Sequence, residues 1–119
     1  MRTSEKKLNP SLKNQVETVF AQTVADLRDL KEATRFLLDF FNQTEYESFA
    51  KRLAIAYWLK KGRSYNNIKD NLKVSSATVA SVQSVMEKEG FKLALKKIEA
   101  EEWANLWAEK IRKFTKKIG

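Results

Sequence analysis

The sequence predicts an all-α protein built from six helices. Three glycines and one proline in 119 residues are few chain breakers, which favours helices over a turn-rich β protein. Apolar residues recur at helical spacing in one segment after another. The length suits a single domain, and a hydrophobic content of 43% is typical of a folded chain rather than a disordered one.

A flexible basic arm over residues 1–10 is expected to precede a single helical domain over residues 11–119. The net charge of +8, from 23 basic and 15 acidic residues, favours nucleic acid or an anionic surface as a partner. No apolar run approaches the roughly 20 residues that a membrane span needs. The N-terminus also lacks the apolar core of a signal peptide. We therefore expect a cytoplasmic protein with no membrane partner.

The composition argues against several kinds of chemistry. The chain contains no cysteine and no histidine, so a disulfide, a transition-metal site and a histidine-based catalytic pair are not expected. Acidic pairs occur, but nothing in the sequence joins them to a nucleophile or a base. We expect no enzyme activity, no cofactor and no metal.

Helix signals predict the bounds of the first two helices. The segment Asn9-Pro10-Ser11 opens the first helix, with Ser11 as the candidate cap. The apolar stripe of this helix continues to Leu30, and a break is expected over Asp29–Glu32. The second helix extends to Phe41 and is strongly apolar for its length. Such a surface needs a cover from another element or another chain.

The third helix is predicted to begin at a capping box and to end at a glycine. Thr44 and Glu47 have the spacing of that box, in which each side chain bonds the other residue's backbone N–H. The helix runs to Lys61 and stops at Gly62. Because its apolar residues surround most of the circumference, we expect it to be central.

Two short helices and one long helix complete the prediction. Ser64 caps a helix over residues 65–72, and Lys73-Val74-Ser75 forms a turn. The next helix runs from about Ser76 to Lys88, and the last begins near Phe91. Two tryptophans on one face of the last helix fit core or dimer packing, and they also fit a partner or effector groove. They are Trp103 and Trp107.

The segment from Ser64 to Met86 is predicted to be a helix-turn-helix. Two short helices joined by a tight turn cross steeply, and a small apolar core holds that angle. All five core positions of the pattern are apolar, namely Ile68, Leu72, Val74, Val79 and Val82. Two positions depart from the common pattern. Lys69 stands where a small residue is usual, and Lys73 stands where glycine is frequent because the backbone is left-handed.

This segment is also the candidate DNA-binding site. Small residues on the second helix let it enter the major groove closely, while the flanking cations bind phosphates. The second helix carries no Arg, Lys or Asn before Lys88, so direct base readout is expected to be weak unless Gln83 supplies it. The candidate DNA-binding residues are Arg63, Ser64, Tyr65, Asn66, Lys69, Lys73, Ser75, Ser76, Thr78, Ser81, Gln83 and Ser84.

The stretch from Glu45 to Met86 resembles the core of the Trp repressor superfamily, and within it the Trp repressor-related proteins of the YerC/YecD type. The residues that carry the resemblance are Arg52-Leu53, Leu59 through Gly62, Ser64-Tyr65-x-x-Ile68, Val74-Ser75-x-Ala77-Thr78-Val79 and Glu89-Gly90-Phe91-Lys92. The resemblance implies a six-helix fold and an intertwined homodimer whose two reading heads occupy successive major grooves. The chain is accordingly interpreted as a sequence-preferring regulator of transcription that binds double-stranded DNA.

The same resemblance bears on the effector. In the Trp repressor the ligand pocket uses one arginine from the helix before the reading head and another from the recognition helix. The corresponding positions here are Ala54 and Ser81. Because neither residue offers a guanidinium to a carboxylate, we expect that tryptophan is not the effector.

Two other functions stay open at the level of sequence. The shortage of base-reading side chains also fits a nonspecific architectural protein of the nucleoid. Alternatively, the helical corner only packs, and the face of Trp103 and Trp107 binds a protein partner. Charge reversal at Lys69 and Lys73 separates the last alternative from DNA binding, because a protein-interaction module would keep its function.

Overall fold

The protein is described by a computed structural model that covers residues 6–118. In the last helix it describes no side chain at positions 103, 104, 106–108, 110 and 113–118. The described residues form six α-helices and no strand, which confirms the all-α prediction. The helices are α1 (Pro10–Ala25), α2 (Leu30–Phe40), α3 (Gln43–Lys60), α4 (Tyr65–Leu72), α5 (Ser76–Gln83) and α6 (Glu89–Ile118). No helix in this part of the chain is long and apolar enough to span a bilayer.

The chain divides into two compact units, Met1–Tyr46 and Glu47–Gly119. The expectation of one helical domain from residue 11 onward stays a prediction. The predicted N-terminal arm lies outside the described residues over positions 1–5. Residues 6–9 are exposed and precede the first helix.

The cap of the first helix lies two residues earlier than the sequence suggested. Asn9, not Ser11, is the N-cap, and its Oδ1 accepts hydrogen bonds from the backbone N–H groups of Ser11 (2.9 Å) and Leu12 (3.3 Å). Pro10 occupies the first helical position, where a backbone N–H would have no partner within the helix. Asparagine caps as well as serine does, so the residue before the proline takes the role.

The break between the first two helices also lies earlier than predicted. Helix α1 ends at Ala25, and Asp29 caps α2 by accepting a hydrogen bond from the N–H of Glu32 at 2.9 Å. The predicted break over Asp29–Glu32 was therefore wrong by several residues. An aspartate N-cap has extended backbone angles, so residues immediately before Asp29 cannot continue the preceding helix.

A capping box does open α3, but with different residues from those predicted. Asn42 Oδ1 accepts the N–H of Glu45 at 2.8 Å, and Glu45 Oε1 accepts the N–H of Asn42 at 2.9 Å. The prediction of Thr44 and Glu47 was wrong because Asn42 can cap two residues earlier. Both pairs have the required spacing, and the helix uses the first.

Helix α5, which the sequence predicts to reach about Lys88, ends at Gln83 instead. Two short-range backbone bonds follow it, Val85 N–H to the Val82 carbonyl and Lys88 N–H to the Val85 carbonyl, both 3.0 Å. The hydroxyl of Ser84 donates to the Ser81 carbonyl, which competes with the helical hydrogen-bond ladder. Helix α6 then begins at Glu89, two residues before the predicted position.

The unit Glu47–Gly119 contains a small apolar core. Helix α3 contributes Ile55 and Ala56, as expected for a central helix. The fully or almost fully buried residues are Ile55, Ala56, Ile68, Val79, Val82 and Leu95, which come from α3, α4, α5 and α6. Aromatic and aliphatic side chains, including Trp58 and Phe91, pack around this cluster.

The unit Met1–Tyr46 has no buried residue among those described. Its rings still associate, because Phe20, Phe36 and Phe40 lie with ring centroids 4.7–6.0 Å apart. The apolar stripe of α1 faces solvent and comprises Leu12, Val16, Val19, Phe20 and Val24, which are 41–65% exposed. A stripe of that extent on a single chain is far more apolar than an ordinary solvated helix face.

Candidate nucleic-acid interface

Helix α4, the connection Lys73-Val74-Ser75 and helix α5 form one local unit, which we call the α4–α5 pair. Serine hydroxyls cap both helices. Ser64 Oγ accepts the N–H of Asn67 at 3.1 Å, and Ser75 Oγ accepts the N–H of Thr78 at 3.1 Å. The predicted bounds of α4 and the predicted cap at Ser64 are confirmed.

The connection depends on a left-handed residue. Lys73 has φ 56° and ψ 53°, and it is the one non-glycine residue with positive φ in the described chain. The N–H groups of Lys73 and Val74 both bond the carbonyl of Lys69, which closes the end of α4. A side chain in this conformation costs about 1–2 kcal/mol relative to the right-handed region. The turn therefore carries strain that glycine would relieve.

The apolar side of the pair meets the core of the unit. Ile68 and Val79 are fully buried, and Val82 is 2% exposed. Leu72 and Val74 are half-buried and pack against the same cluster. All five apolar positions singled out from the sequence therefore lie in the core or against it, so α4 and α5 have a defined packing partner.

The opposite side of α5 is exposed and lined by small residues. Ser76, Ala77, Ala80 and Ser81 all face solvent. Three of the predicted DNA-binding hydroxyls in α5 or next to its ends have local roles. Ser75 and Thr78 share a hydrogen bond of 2.9 Å, and Ser84 donates to the Ser81 carbonyl at 2.7 Å. One proton is engaged between Ser75 and Thr78, where either hydroxyl can be the donor, and the proton of Ser84 is engaged with the Ser81 carbonyl.

Gln83, the one α5 side chain with potential for amide readout, is bonded to α4. The hydroxyl of Tyr65 donates a hydrogen bond to Gln83 Oε1. This bond joins the start of α4 to the end of α5. A bidentate contact with adenine needs that same amide oxygen as an acceptor, so it competes with Tyr65.

The cations around the pair differ in what they contact. Lysines of α3 and the residue after it are paired with carboxylates: Lys51 with Glu47 (3.7 Å), Lys60 with Glu99 (2.8 Å) and Lys61 with Glu102 (3.3 Å). Arg52 lies 5.7 Å from the ring centroid of Phe91. By contrast, Arg63, Lys69 and Lys73 form no ion pair with any residue that the structure describes.

Arg63 lies over an aromatic ring that the sequence analysis did not single out. Its guanidinium carbon is 4.0 Å from the ring centroid of Trp58. One of its nitrogens also donates to Asn67 Oδ1 at 3.4 Å. The spacing of Trp58, Gly62 and Arg63 was the available signal. A helix end with a left-handed glycine brings the residue after the glycine back onto the last turn.

A polar cluster joins α3 to α6 next to these cations. The hydroxyl of Tyr57 donates to Glu102 Oε2 at 2.6 Å, and Lys61 Nζ lies 3.3 Å from the same carboxylate. The hydrogen bond from Tyr57, followed by that from Lys61, lowers the pKa of Glu102. The same bonds with Glu102 raise the pKa of Tyr57 and of Lys61. The cluster joins two helices and pairs Lys61 with a carboxylate, so Lys61 does not belong with the cations that form no ion pair.

Small residues occupy the two positions that correspond to the ligand-pocket arginines of the Trp repressor. Ala54 is half-buried on α3, and Ser81 is exposed on α5. Neither side chain is a cation. The side chains of Trp103 and Trp107 lie outside the described residues. Core or dimer packing and a partner or effector groove therefore both stay as predictions for that face.

Comparison with known proteins places this arrangement in a family. A family model described as Trp repressor protein matches residues 15–99, which include the whole α4–α5 pair. The chain belongs to the Trp repressor family. The resemblance inferred from the motifs between Glu45 and Met86 is thereby confirmed.

The chain is also similar to a protein of Bacillus subtilis (strain 168). The chain is 29% identical over 82 residues to YerC of Bacillus subtilis (strain 168), which is described as an uncharacterized protein. The matched stretch covers 67% of this chain and 79% of YerC. No solved structure matches the chain.

Proposed function

We propose that this protein is a regulator of transcription that binds double-stranded DNA as a homodimer, with the α4–α5 pair as its helix-turn-helix. One observation carries the proposal. The exposed, small-residue side of α5 belongs to a helix pair whose nearby cations Arg63, Lys69 and Lys73 form no ion pair with any described residue. Membership of the Trp repressor family, whose members are DNA-binding regulators without enzyme activity, supports the same function.

Binding begins with electrostatic attraction between the basic surface and the duplex. Arg63, Lys69 and Lys73 contact backbone phosphates, and these contacts set the orientation of the protein on the DNA. Helix α5 then enters the major groove, where the absence of bulky side chains at Ser76, Ala77 and Ala80 allows a close approach. The regulator acts where the chromosome is, so we place it in the cytoplasm.

A homodimer accounts for the exposed apolar surface of the first unit. The stripe on α1 is 41–65% exposed in a single chain, and burial against a second copy would remove it from water. A two-fold axis also suits the DNA, because two identical reading heads then meet two half-sites about one helical turn apart. The two heads double the number of phosphates that one binding event neutralises.

Salt dependence is the direct test of this function. If each protomer contacts about three or four phosphates, the slope of log affinity against log salt is on the order of −5 to −7. The double variant Lys69→Glu with Lys73→Glu should lose most of this binding. The double variant Lys96→Glu with Lys97→Glu, on exposed positions of α6, changes the net charge equally and is the matched control. Retention of DNA that is independent of salt, or no binding at low salt, would contradict the proposal.

A nonspecific architectural protein is the second candidate. It is favoured by the α5 surface, which carries no Arg, Lys or Asn, and by the engagement of Gln83 with Tyr65. Selection of bound sites from random DNA distinguishes the two. A regulator enriches a palindromic site and prefers it to random DNA by several orders of magnitude, whereas an architectural protein enriches none.

A further inference from the structure

The end of α3 has a backbone geometry that determines where Arg63 lies. Gly62 has φ 85°, a left-handed conformation that favours glycine. The N–H of Arg63 bonds the Trp58 carbonyl, and the N–H of Gly62 bonds the Leu59 carbonyl, both at 3.0 Å. These two bonds define the Schellman motif, in which the residue after the glycine returns to the helix three positions before its cap. Arg63 is therefore brought to Trp58 by the backbone itself.

In most such motifs the two residues make an apolar contact, and here they make a cation–aromatic one. The guanidinium carbon of Arg63 lies 4.0 Å from the Trp58 centroid. The ring is half-buried and packs against the core, so its position is fixed by the fold. A guanidinium on an indole face keeps its positive charge and its N–H donors at the ring's edge.

We propose that Trp58 is a positioning residue for DNA binding, and that its ring holds the Arg63 guanidinium ready for a backbone phosphate. The inference rests on the proposed function. A guanidinium has five N–H donors, and the hydrogen bond to Asn67 Oδ1, at 3.4 Å, uses one of them. The remaining donors match the bidentate geometry of a phosphodiester.

The position along the chain indicates a phosphate rather than a base. Arg63 directly precedes Ser64, the cap of α4, and in a helix-turn-helix the first helix crosses the DNA backbone while the second reads the groove. No carboxylate in the described residues forms an ion pair with Arg63. An arginine restrained on a ring loses less rotamer freedom on binding than a free one, so the contact costs less entropy.

A double-mutant cycle on the full chain tests whether Trp58 acts through Arg63. The variants are Arg63→Gln, Trp58→Leu and Trp58→Phe, alone and combined, with DNA affinity measured over a range of salt concentrations. Arg63→Gln should weaken binding about tenfold and make the slope less negative by about 1.8 for a dimer that loses two phosphate contacts. Trp58→Leu should weaken binding about fivefold, and Trp58→Phe, which keeps an aromatic face, less than about twofold.

The decisive comparison is made in the Arg63→Gln background. There Trp58→Leu should change DNA affinity by less than about twofold, because the group that it positions is gone. An equal loss in both backgrounds would overturn the inference, since Trp58 would then act only through the fold. Circular dichroism and a urea midpoint for each variant identify any protein that is not folded. Trp58→Met, a flexible side chain without an aromatic face, replaces Trp58→Leu in the cycle if the leucine variant unfolds.

The inference and the proposed function fail in different ways. If the unaltered protein shows no salt-dependent binding, the function itself is wrong. If it binds and Arg63→Gln binds with the same affinity and slope, only the inference is wrong. Arg35→Gln, at an exposed position on α2, removes an arginine elsewhere and should leave the slope unchanged.

Discussion

The hydroxyl of Tyr57 donates a 2.6 Å hydrogen bond to Glu102 Oε2, which joins α3 to α6 between residues 45 positions apart. Lys61 contacts the same carboxylate at 3.3 Å. Both partners stabilise the ionised form of Glu102, and this is the physical cause of its lowered pKa. The cluster therefore contributes to stability only while Glu102 is ionised.

The first prediction concerns pH. Glu102 has a folded pKa below its ordinary 4.5, so its contribution to stability is complete above that value and is lost as pH falls through the folded pKa. The urea midpoint of the unaltered protein should therefore fall as the pH is lowered below about 4.5. Glu102→Gln should have a lower midpoint at pH 7 and a flatter decline in acid.

The adjacent acid supplies the control. Glu101→Gln changes the net charge by the same amount at an exposed position, and its acid profile should match that of the unaltered protein. At the alkaline end the sign is reversed. The pKa values of Tyr57 and Lys61 are raised above 10.0 and 10.5, so their contribution is present below those values and lost as pH rises through the folded pKa values. Parallel acid profiles for Glu101→Gln and Glu102→Gln would contradict this account.

The second prediction separates stability from function at the α4–α5 turn. Lys73→Gly removes a side chain from a left-handed residue, and should raise the free energy of unfolding by about 0.5–1 kcal/mol. It also removes a cation, so DNA affinity should fall. Chemical denaturation and DNA titration on the same protein measure both effects.

Lys73→Gln isolates the charge in this comparison. It keeps a side chain in the left-handed conformation and loses the ammonium, so it should lose DNA affinity without gaining stability. A stability gain for Lys73→Gln equal to that of Lys73→Gly would show that strain in the turn is not the cause.

The third prediction concerns the core beneath the pair. Ile68 is fully buried, and Ile68→Ala should destabilise the protein by about 2–5 kcal/mol through lost burial and the cavity that remains. Leu93→Ala, at a side chain that is 59% exposed, should change stability by about 0.5 kcal/mol or less. Equal losses for the two variants would argue against a core centred on Ile68.

The fourth prediction tests the homodimer. Val16 is 53% exposed in the middle of the α1 stripe, and Val16→Glu would bury an unpaired charge if a second copy covers it. Sedimentation equilibrium should show the dimer dissociating at concentrations at least about tenfold higher than for the unaltered protein. Thr18→Glu, on the opposite side of α1, should sediment as the unaltered protein does. The stripe is not an interface if both variants keep the original assembly.

The fifth prediction concerns the effector. Because Ala54 and Ser81 stand where the Trp repressor is expected to have arginines, the carboxylate of tryptophan has no guanidinium partner. Calorimetric titration with L-tryptophan should give no saturable heat, and the melting temperature should be the same with and without it. A specific, saturable signal would overturn the expectation.

Capping residues and apolar spacing, which act within a few residues, predicted most of the helices. The bounds of α4 followed from the Ser64 cap and the apolar spacing, and Ile68, Val79 and Val82 were identified as core from position alone. Two equivalent local signals compete at the start of α3. Asn42 and Thr44 both stand three residues before a glutamate, and the helix starts at the earlier one.

The sequence by itself determined the helical class, the family and the apolar side of the α4–α5 pair, because hydrophobic period and capping act within a few residues. Only the tertiary structure decided which cations of the basic flank are paired with carboxylates. Lys60 and Lys61 look like the other basic residues of the flank, yet α6 brings Glu99 and Glu102 against them. The stacking of Arg63 on Trp58 likewise required the helix end and the core to be in place. Ion pairs between distant segments depend on how helices pack, and no local pattern in the chain records that packing.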